Sequence, residues 1–246
     1  MSDTTPSVLK RKFRLHSWEV DHKGRAKPDI LFSFMLDSAW AHANNSDFSY
    51  EALREEGQIW VLSRFLAVFH ELPAWDEEIT VETWGKGTDK LFGLRDFAVY
   101  SGSGKKIISA TSAWLVIDRK TSRIQRIDLE HSNFPLQQNK HEIETKLGKI
   151  EELESNRTDF DYIVRYTDID VNNHVNSSRY MGWILDSFPR NVLEEKRLRS
   201  IEINFLAEAQ LGDKVFVSSA EADDYNYCVV EREKDGVELC RAKVTW

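Results

Sequence analysis

Apolar and polar residues alternate with period two along most of this chain and switch to helical spacing in a few places. Over residues 10–20, Phe13, Leu15 and Ser17 fall on one side and Trp18 and Val20 on the other, which predicts a strand. A polar turn follows at 21–27, and Pro28 suits the first turn of a helix that runs to about Asn44. Its stripe is Leu31, Phe34, Met35 and Ala39. Ile30, Phe32, Leu36 and Trp40 extend the apolar surface, so this helix is expected to be buried on most sides. A short helix is predicted at Tyr50 to Glu56, then strands at 60–68, 78–84, 91–100 and 106–118, the last two joined by a Ser101-Gly-Ser-Gly turn. Residues 127–156 are charged and poor in aromatics, and read as a linker with some helix crossing the surface.

The second half repeats this order. Tyr162, Val164 and Tyr166 alternate as the end of a strand, and a polar turn follows. A helix over 175–188 comes next, with Asn176 or Ser177 as its cap and Pro189 as its stop. Strands are predicted at 198–208, 213–222 and 224–246, the last a hairpin through Lys234-Asp-Gly. Short matches accompany the order: Phe65-Leu-Ala67 with Phe205-Leu-Ala207, Ala110 and Trp114 with Ala242 and Trp246, and Asp21 after Val20 with Asp170 after Ile169. Together they predict a duplicated unit of one long helix and about five antiparallel strands. A sheet with one apolar face covers it best by wrapping around that helix. The expected class is therefore α+β, a double hot dog, with units at 1–126 and 157–246 joined by the linker.

Composition narrows the function. The chain has 246 residues, 41% hydrophobic, with eight tryptophans, which suits a sizeable core. A net charge of −8 argues against a nucleic-acid partner. No apolar run approaches the ~20 residues of a membrane span. The first residues have neither the basic nor the apolar region of a secretion signal. Cys228 and Cys240 fit neither a zinc site nor a redox pair, and as free thiols they suit a reducing cytoplasm. Nothing in the pattern calls for a metal or another cofactor.

Chemistry concentrates at one turn, where Asp170, Asn172 and His174 fall within five residues before a helix. Free N–H groups and a partial positive charge at that helix end suit a developing oxyanion. The same residue types are also common in turns that do no chemistry. The repeat adds a contrast. Matching Phe65-Leu-Ala67 to Phe205-Leu-Ala207 sets Val68 against Glu208, and the turn after Asp21 lacks the Asn-x-His arrangement. One working site per chain, in the second unit, is the simplest account. The first unit is then free to hold an apolar pocket, with Phe34, Met35, Ala39 and Trp40 as candidate lining.

The run Thr167 to Asp186 closely resembles the active-site segment of the acyl-ACP thioesterases. The resemblance extends to Ile201 through Glu208 and, more weakly, to Trp114 through Arg123, in the same order of elements. It implies hydrolysis of a fatty acyl thioester carried on acyl carrier protein, with Asp170, Asn172, His174 and Glu208 as catalytic residues. Plant members have a cysteine directly after the glutamate. Here Ala209 stands there, which favours water as the attacking group. Glu208 is the expected base, positioned by Asn172 or His174, while Asp170 is left as second base, nucleophile or orienter of His174. The absence of a plastid transit segment suggests a bacterial cytoplasmic enzyme. An acidic carrier protein requires a local positive surface, and the candidates are Lys10, Arg11, Lys12, Arg14, Arg64, Lys86, Lys90 and Arg179. The rival readings are an acyl-CoA thioesterase of the same fold, a hot-dog dehydratase and a non-catalytic acyl-binding module. Monomer and homodimer both remain open.

Overall fold

The alternation in the N-terminal strand survives in the computed structural model, which describes residues 6–44 and 46–246. The chain divides into two units, Met1–Leu147 and Gly148–Trp246. In unit 1 the strands are β1 (Leu9–Arg14), β2 (Gln58–Phe69), β3 (Glu78–Asp89), β4 (Phe92–Tyr100), β5 (Lys106–Asp118) and the short β6 (Ile124–Gln125). Antiparallel pairing sets the order β1-β3-β4-β5-β2, with β6 against β5. β1 ends earlier than the alternation suggested, because a 3-10 turn at Ser17–Glu19 takes over.

Helix α1 (Pro28–Ala43) lies against β3 and β1 and buries Leu31, Phe32, Met35, Ala39 and His42. Phe32 meets Phe65 at 4.2 Å between ring centroids, and Phe34 stacks on Phe13 at 4.3 Å. Trp40, expected within the buried surface, is 52% exposed. The apolar surface of α1 therefore does not close around the helix. A short α2 (Tyr50–Glu55) is capped by the Ser49 hydroxyl, which accepts the Ala52 N–H.

The stretch expected to be a linker behaves differently. No helix forms in 127–156, and the division between units falls after Leu147 rather than at 126. Ile127, Leu129 and Phe134 are buried with Ala43, Leu53 and Val116. Gly85 makes room for Phe134: a Cβ there would stand 2.6 Å from the Phe134 ring. Farther on, the Lys140 carbonyl accepts the Trp84 indole N–H (2.8 Å), and the Glu142 N–H donates to Asp96 (2.8 Å). The charged residues of this segment mask a spaced set of apolar anchors. Residues 148–156 belong to unit 2, where Ile150 packs on Tyr227 and Val229.

Unit 2 contains β7 (Asn156–Ile163), β8 (Ser200–Phe205), β9 (Lys214–Glu221), β10 (Asn226–Arg232) and β11 (Val237–Thr245) in the order β8-β11-β10-β9-β7. Its helix α3 (Ser177–Asp186) packs on β10 and β7, with Trp183 5.5 Å from Tyr162 and Tyr180 5.9 Å from Phe205. Pro189 ends that run, and a further helix, α4 (Arg190–Glu195), starts directly after it. Each unit is an antiparallel sheet of five main strands, with the short β6 added in unit 1, and its helix on one face, the expected hot-dog unit. Cys228 and Cys240 are free and buried, and burial pushes the Cys228 thiol up to about 12.

Unit 1 also buries a cation, Arg95, that has no carboxylate partner among the described residues. Arg95 donates to His42 Nδ1 and to the Thr83 hydroxyl, both at 3.0 Å, while His42 Nε2 lies 2.8 Å from the Pro6 carbonyl. Burial, then the neighbouring guanidinium, pushes the His42 pKa down from 6.5 to about 4. Between those values the unfolded chain takes up a proton that the folded chain refuses. This contribution is complete above pH 6.5 and is lost as pH falls to about 4, at most about 3 kcal/mol. Urea unfolding at pH 7 and at pH 4.5 should show a smaller loss in His42→Gln than in wild type. Equal losses in the two proteins would refute the assignment.

Candidate active site

The polar turn is built on backbone bonds. After a 3-10 turn at Tyr166–Asp168, the Asp170 N–H donates to the His174 carbonyl (2.8 Å), and the Asp170 carbonyl accepts the Asn173 N–H (3.0 Å). The Asp170 carboxylate accepts the Asn172 N–H at 2.8 Å. Closing so tightly puts Asn173 in the left-handed region, at φ 64°. Asn176 caps α3, its side-chain oxygen accepting the Ser178 N–H and hydroxyl at 2.9 Å. Beneath the turn, Asp168 is 2% exposed, accepts the Arg165 N–H and sits 2.8 Å from Arg179 Nε.

From this frame His174 Nε2 comes within 3.2 Å of Glu208 Oε2, with both side chains part-exposed. The structure thus joins residues far apart in sequence, the turn and the loop after β8. Asn172 belongs to the same turn, half-buried, and its carboxamide has no hydrogen bond among the described residues. The described residues contain no cluster of His, Cys, Asp and Glu able to hold a metal ion.

Unit 1 repeats the turn nearly bond for bond. Asp21 N–H donates to the Arg25 carbonyl, the Asp21 carbonyl accepts the Gly24 N–H, and the Asp21 carboxylate accepts the Lys23 N–H. Gly24 has φ 71° where Asn173 has 64°. Arg25 stands in the place of His174 and folds back onto Asp21, at 2.7 Å and 2.9 Å. The turn is therefore a property of the fold, and the imidazole is what unit 2 adds.

Strand pairing corrects one expectation. Phe69 faces Ile108 and Phe205 faces Cys240, and β5 and β11 correspond at the Ala110/Ala242 match. Phe205 is thus the counterpart of Phe69, and Phe65-Leu-Ala67 is a chance match displaced by four residues, which keeps the same face of the strand. The loops agree: the Asp76 N–H donates to the Leu15 carbonyl as the Gly212 N–H donates to that of Val164. Glu208 therefore corresponds to Leu72, not Val68. The contrast of carboxylate with apolar residue survives the change of partner.

Two candidate sets fare unevenly. Met35 and Ala39 lie in the unit 1 core, Phe34 is half-buried against Phe13, and Trp40 is open to solvent. A groove of about 250 Å³ in that unit is polar, lined by Lys12, Glu78, Thr80, Glu82 and Tyr100 among others, and none of the four borders it. The proposed docking cations are mostly neutralised. Lys10 pairs with Glu82, Arg11 with Asp37, Lys12 with Glu78, Arg14 with Asp76, Lys86 with Asp96 and Arg179 with Asp168. Arg64 donates to the Leu147 carbonyl, which leaves Lys90 exposed and without an ion pair among the described residues. Exposed cations without an ion pair among those residues also include Arg119, Lys120, Arg123, Arg126, Lys196, Arg197 and Arg199.

Tyr180 and Arg232, which touch the Glu208 loop, were not singled out as site residues from sequence. The Tyr180 hydroxyl accepts the Ala209 N–H (2.9 Å), and Arg232 donates to the Glu208 carbonyl (3.0 Å). Tyr180 falls at helical spacing with Trp183 and Ile184, a pattern that signals packing and not a contact to a distant loop. Arg232, at a strand end, carried no sequence signal for such a contact.

Comparison with known proteins adds independent information. Residues 6–133 match the acyl-ACP thioesterase N-terminal domain and residues 150–246 the C-terminal domain. A palmitoyl-acyl carrier protein thioesterase of Arabidopsis thaliana is 25% identical over 97% of this chain, which spans 64% of that relative's length. The crystal structure of an acyl-ACP thioesterase from Bacteroides thetaiotaomicron superposes with a TM-score of 0.86 at 30% identity, covering 97% of each chain. A 12:0-ACP thioesterase from Umbellularia californica shares the fold, with a TM-score of 0.85 at 20% identity, covering 97% of this chain and 96% of that one. With both of its domains matched in order, the chain belongs to the acyl-ACP thioesterase family.

Proposed function

We propose that this protein hydrolyses fatty acyl thioesters carried on acyl carrier protein, releasing the fatty acid and the carrier thiol. The observation that carries this reading is the His174–Glu208 pair at 3.2 Å, held by a turn that opens helix α3. Glu208 takes a proton from water as the water oxygen attacks the thioester carbonyl carbon. The carbonyl becomes an oxyanion, for which the Ser177 N–H in the first turn of α3 is the assigned donor. Collapse breaks the C–S bond, and the departing sulfur takes a proton from His174 or the protonated Glu208. The Asp170 carboxylate is engaged by a backbone N–H, as Asp21 is in the unit without the imidazole, which supports an orienting role for it. Water as the attacking group accords with Ala209, which offers no thiol. The acyl chain is assigned to the apolar interior of unit 1, around Phe34, Met35 and Ala39.

The test is a hydrolysis panel of acyl-ACPs from medium to long chain, with acyl-CoAs of equal length beside them. Faster turnover of the ACP series supports the proposal. Preference for acyl-CoA would replace the substrate class, and acyl-ACP bound but uncleaved would make the protein a binding module. An acidic carrier must meet unpaired cations, so KM for acyl-ACP should rise several-fold between low and moderate salt. KM for a small neutral thioester should stay nearly constant, and a parallel rise in both would rule out electrostatic docking. No helix among the described residues is long and apolar enough to cross a membrane.

A further inference from the structure

The loop that carries Glu208 lies beyond the end of its strand. The Leu206 and Ala207 N–H groups share the Leu239 carbonyl, and the sheet ladder stops there. Beyond that point the peptide joining Glu208 to Ala209 is gripped at both ends by side chains. Its carbonyl accepts from Arg232 at 3.0 Å, and its N–H donates to the Tyr180 hydroxyl at 2.9 Å. Tyr180 is 3% exposed and rigidly packed, 5.0 Å from Trp183 and 5.9 Å from Phe205. Arg232 is itself anchored, 2.8 Å from Asp235.

The duplicated unit serves as an internal control. Placed by the shared turn and strand registers, the counterparts of Tyr180, Ala209 and Arg232 are Leu31, Pro73 and Ser101. Leu31 has no hydroxyl to accept, and Pro73 has no N–H to donate. The Ser101 hydroxyl bonds within its own turn, to Ser103 and to the Lys105 N–H. All three parts of the clamp are missing where the carboxylate is missing, and all three are present where it is present. A requirement of the fold alone would have kept them in both units.

We infer that Tyr180 and Arg232 are positioning residues that fix the Glu208 peptide and so aim its carboxylate at His174. The inference rests on the proposed role of Glu208. A carboxylate on a loop without ladder bonds wanders, and small misplacement of a catalytic group costs rate steeply. Burial, with a contribution from the Glu208 charge, holds the Tyr180 phenol proton well above its ordinary range. The ring therefore stays neutral at any working pH and accepts the Ala209 N–H without setting a second negative charge near Glu208.

The experiment compares Tyr180→Phe, Arg232→Met, Arg232→Lys and Asp235→Asn. Tyr180→Phe and Arg232→Met should each lower kcat about tenfold with KM little changed, and should shift the acidic limb of the pH–rate profile. Arg232→Lys, which keeps a donor, should recover part of the loss. Asp235→Asn loosens the arginine's anchor without touching Glu208 and should lower stability more than kcat. Amide exchange at Ala209 reads the clamp without any substrate: it should speed up about tenfold in Tyr180→Phe, a change of one oxygen that spares the packing. Unchanged exchange would overturn the clamp. Faster exchange with wild-type kcat and pH profile would overturn its role in positioning. If wild type itself leaves acyl-ACP intact, the proposed function fails while the exchange result still decides whether the clamp exists.

Discussion

Glu208→Gln should lower kcat for acyl-ACP hydrolysis by at least about a hundredfold, with KM within about threefold and the melting temperature nearly unchanged. The amide keeps the shape and can still bond to His174, but it cannot take a proton from water. The Glu208 side chain is part-exposed and among the described residues meets only His174, so its replacement costs little stability. If His174 works with it as one unit, combining Glu208→Gln with His174→Ala should cost little more than the worse single change. Full additivity would separate the two residues, and a Glu208→Gln enzyme with wild-type kcat would end the proposed mechanism. The measurement is steady-state hydrolysis of one acyl-ACP, with unfolding followed on the same samples.

Asp96→Ala should produce the opposite signature, a loss of about 3–5 kcal/mol in unfolding free energy with kcat per folded molecule unchanged. Asp96 is fully buried beside Lys86, at 2.8 Å, and also accepts the Glu142 N–H. The ammonium sits off the line of an ideal hydrogen bond to that carboxylate and bonds instead to the Thr111 hydroxyl and the Ile143 carbonyl. Removing the carboxylate leaves a buried cation with neutral partners only and frees the segment over Trp84 and Lys86. Adding Lys86→Met should recover much of the loss, because the stranded charge is gone. A loss under about 1 kcal/mol in urea unfolding would show that the pair does not hold this segment.

How far the sequence could be read varies with the range of the interactions involved. The two hot-dog units, α1 with Pro28 at its start, a cap at Asn176 or Ser177 and the polar turn were all legible. Each follows from periodicity or capping within about a dozen neighbouring residues. The segment 127–147 was not, because its anchors Ile127, Leu129 and Phe134 are separated by charged residues and find partners such as Ala43 and Val116 only across the fold. The register of the repeat failed for a related reason. A three-residue match such as Phe65-Leu-Ala67 has no hydrogen bonds behind it, whereas the ladder fixes Phe69 and Phe205 as counterparts.

The candidate site divides in the same way. Asp170, Asn172 and His174 are one local turn, so their proximity is written in their spacing. Glu208 is reached by comparing two halves of the chain, but its counterpart and its place beside His174 come only from the structure. Tyr180 and Arg232 could not be found so, since each acts on a backbone group of a loop distant in sequence.

By itself, the sequence determined the units, their order and the turn that concentrates the polar groups, because these depend on short-range spacing. Tertiary structure alone decided which cations are already neutralised, what covers the sheet of unit 1, and what grips the Glu208 peptide. Those outcomes depend on side chains meeting across strands, and pairing energies at long sequence separation leave no periodic trace in the chain.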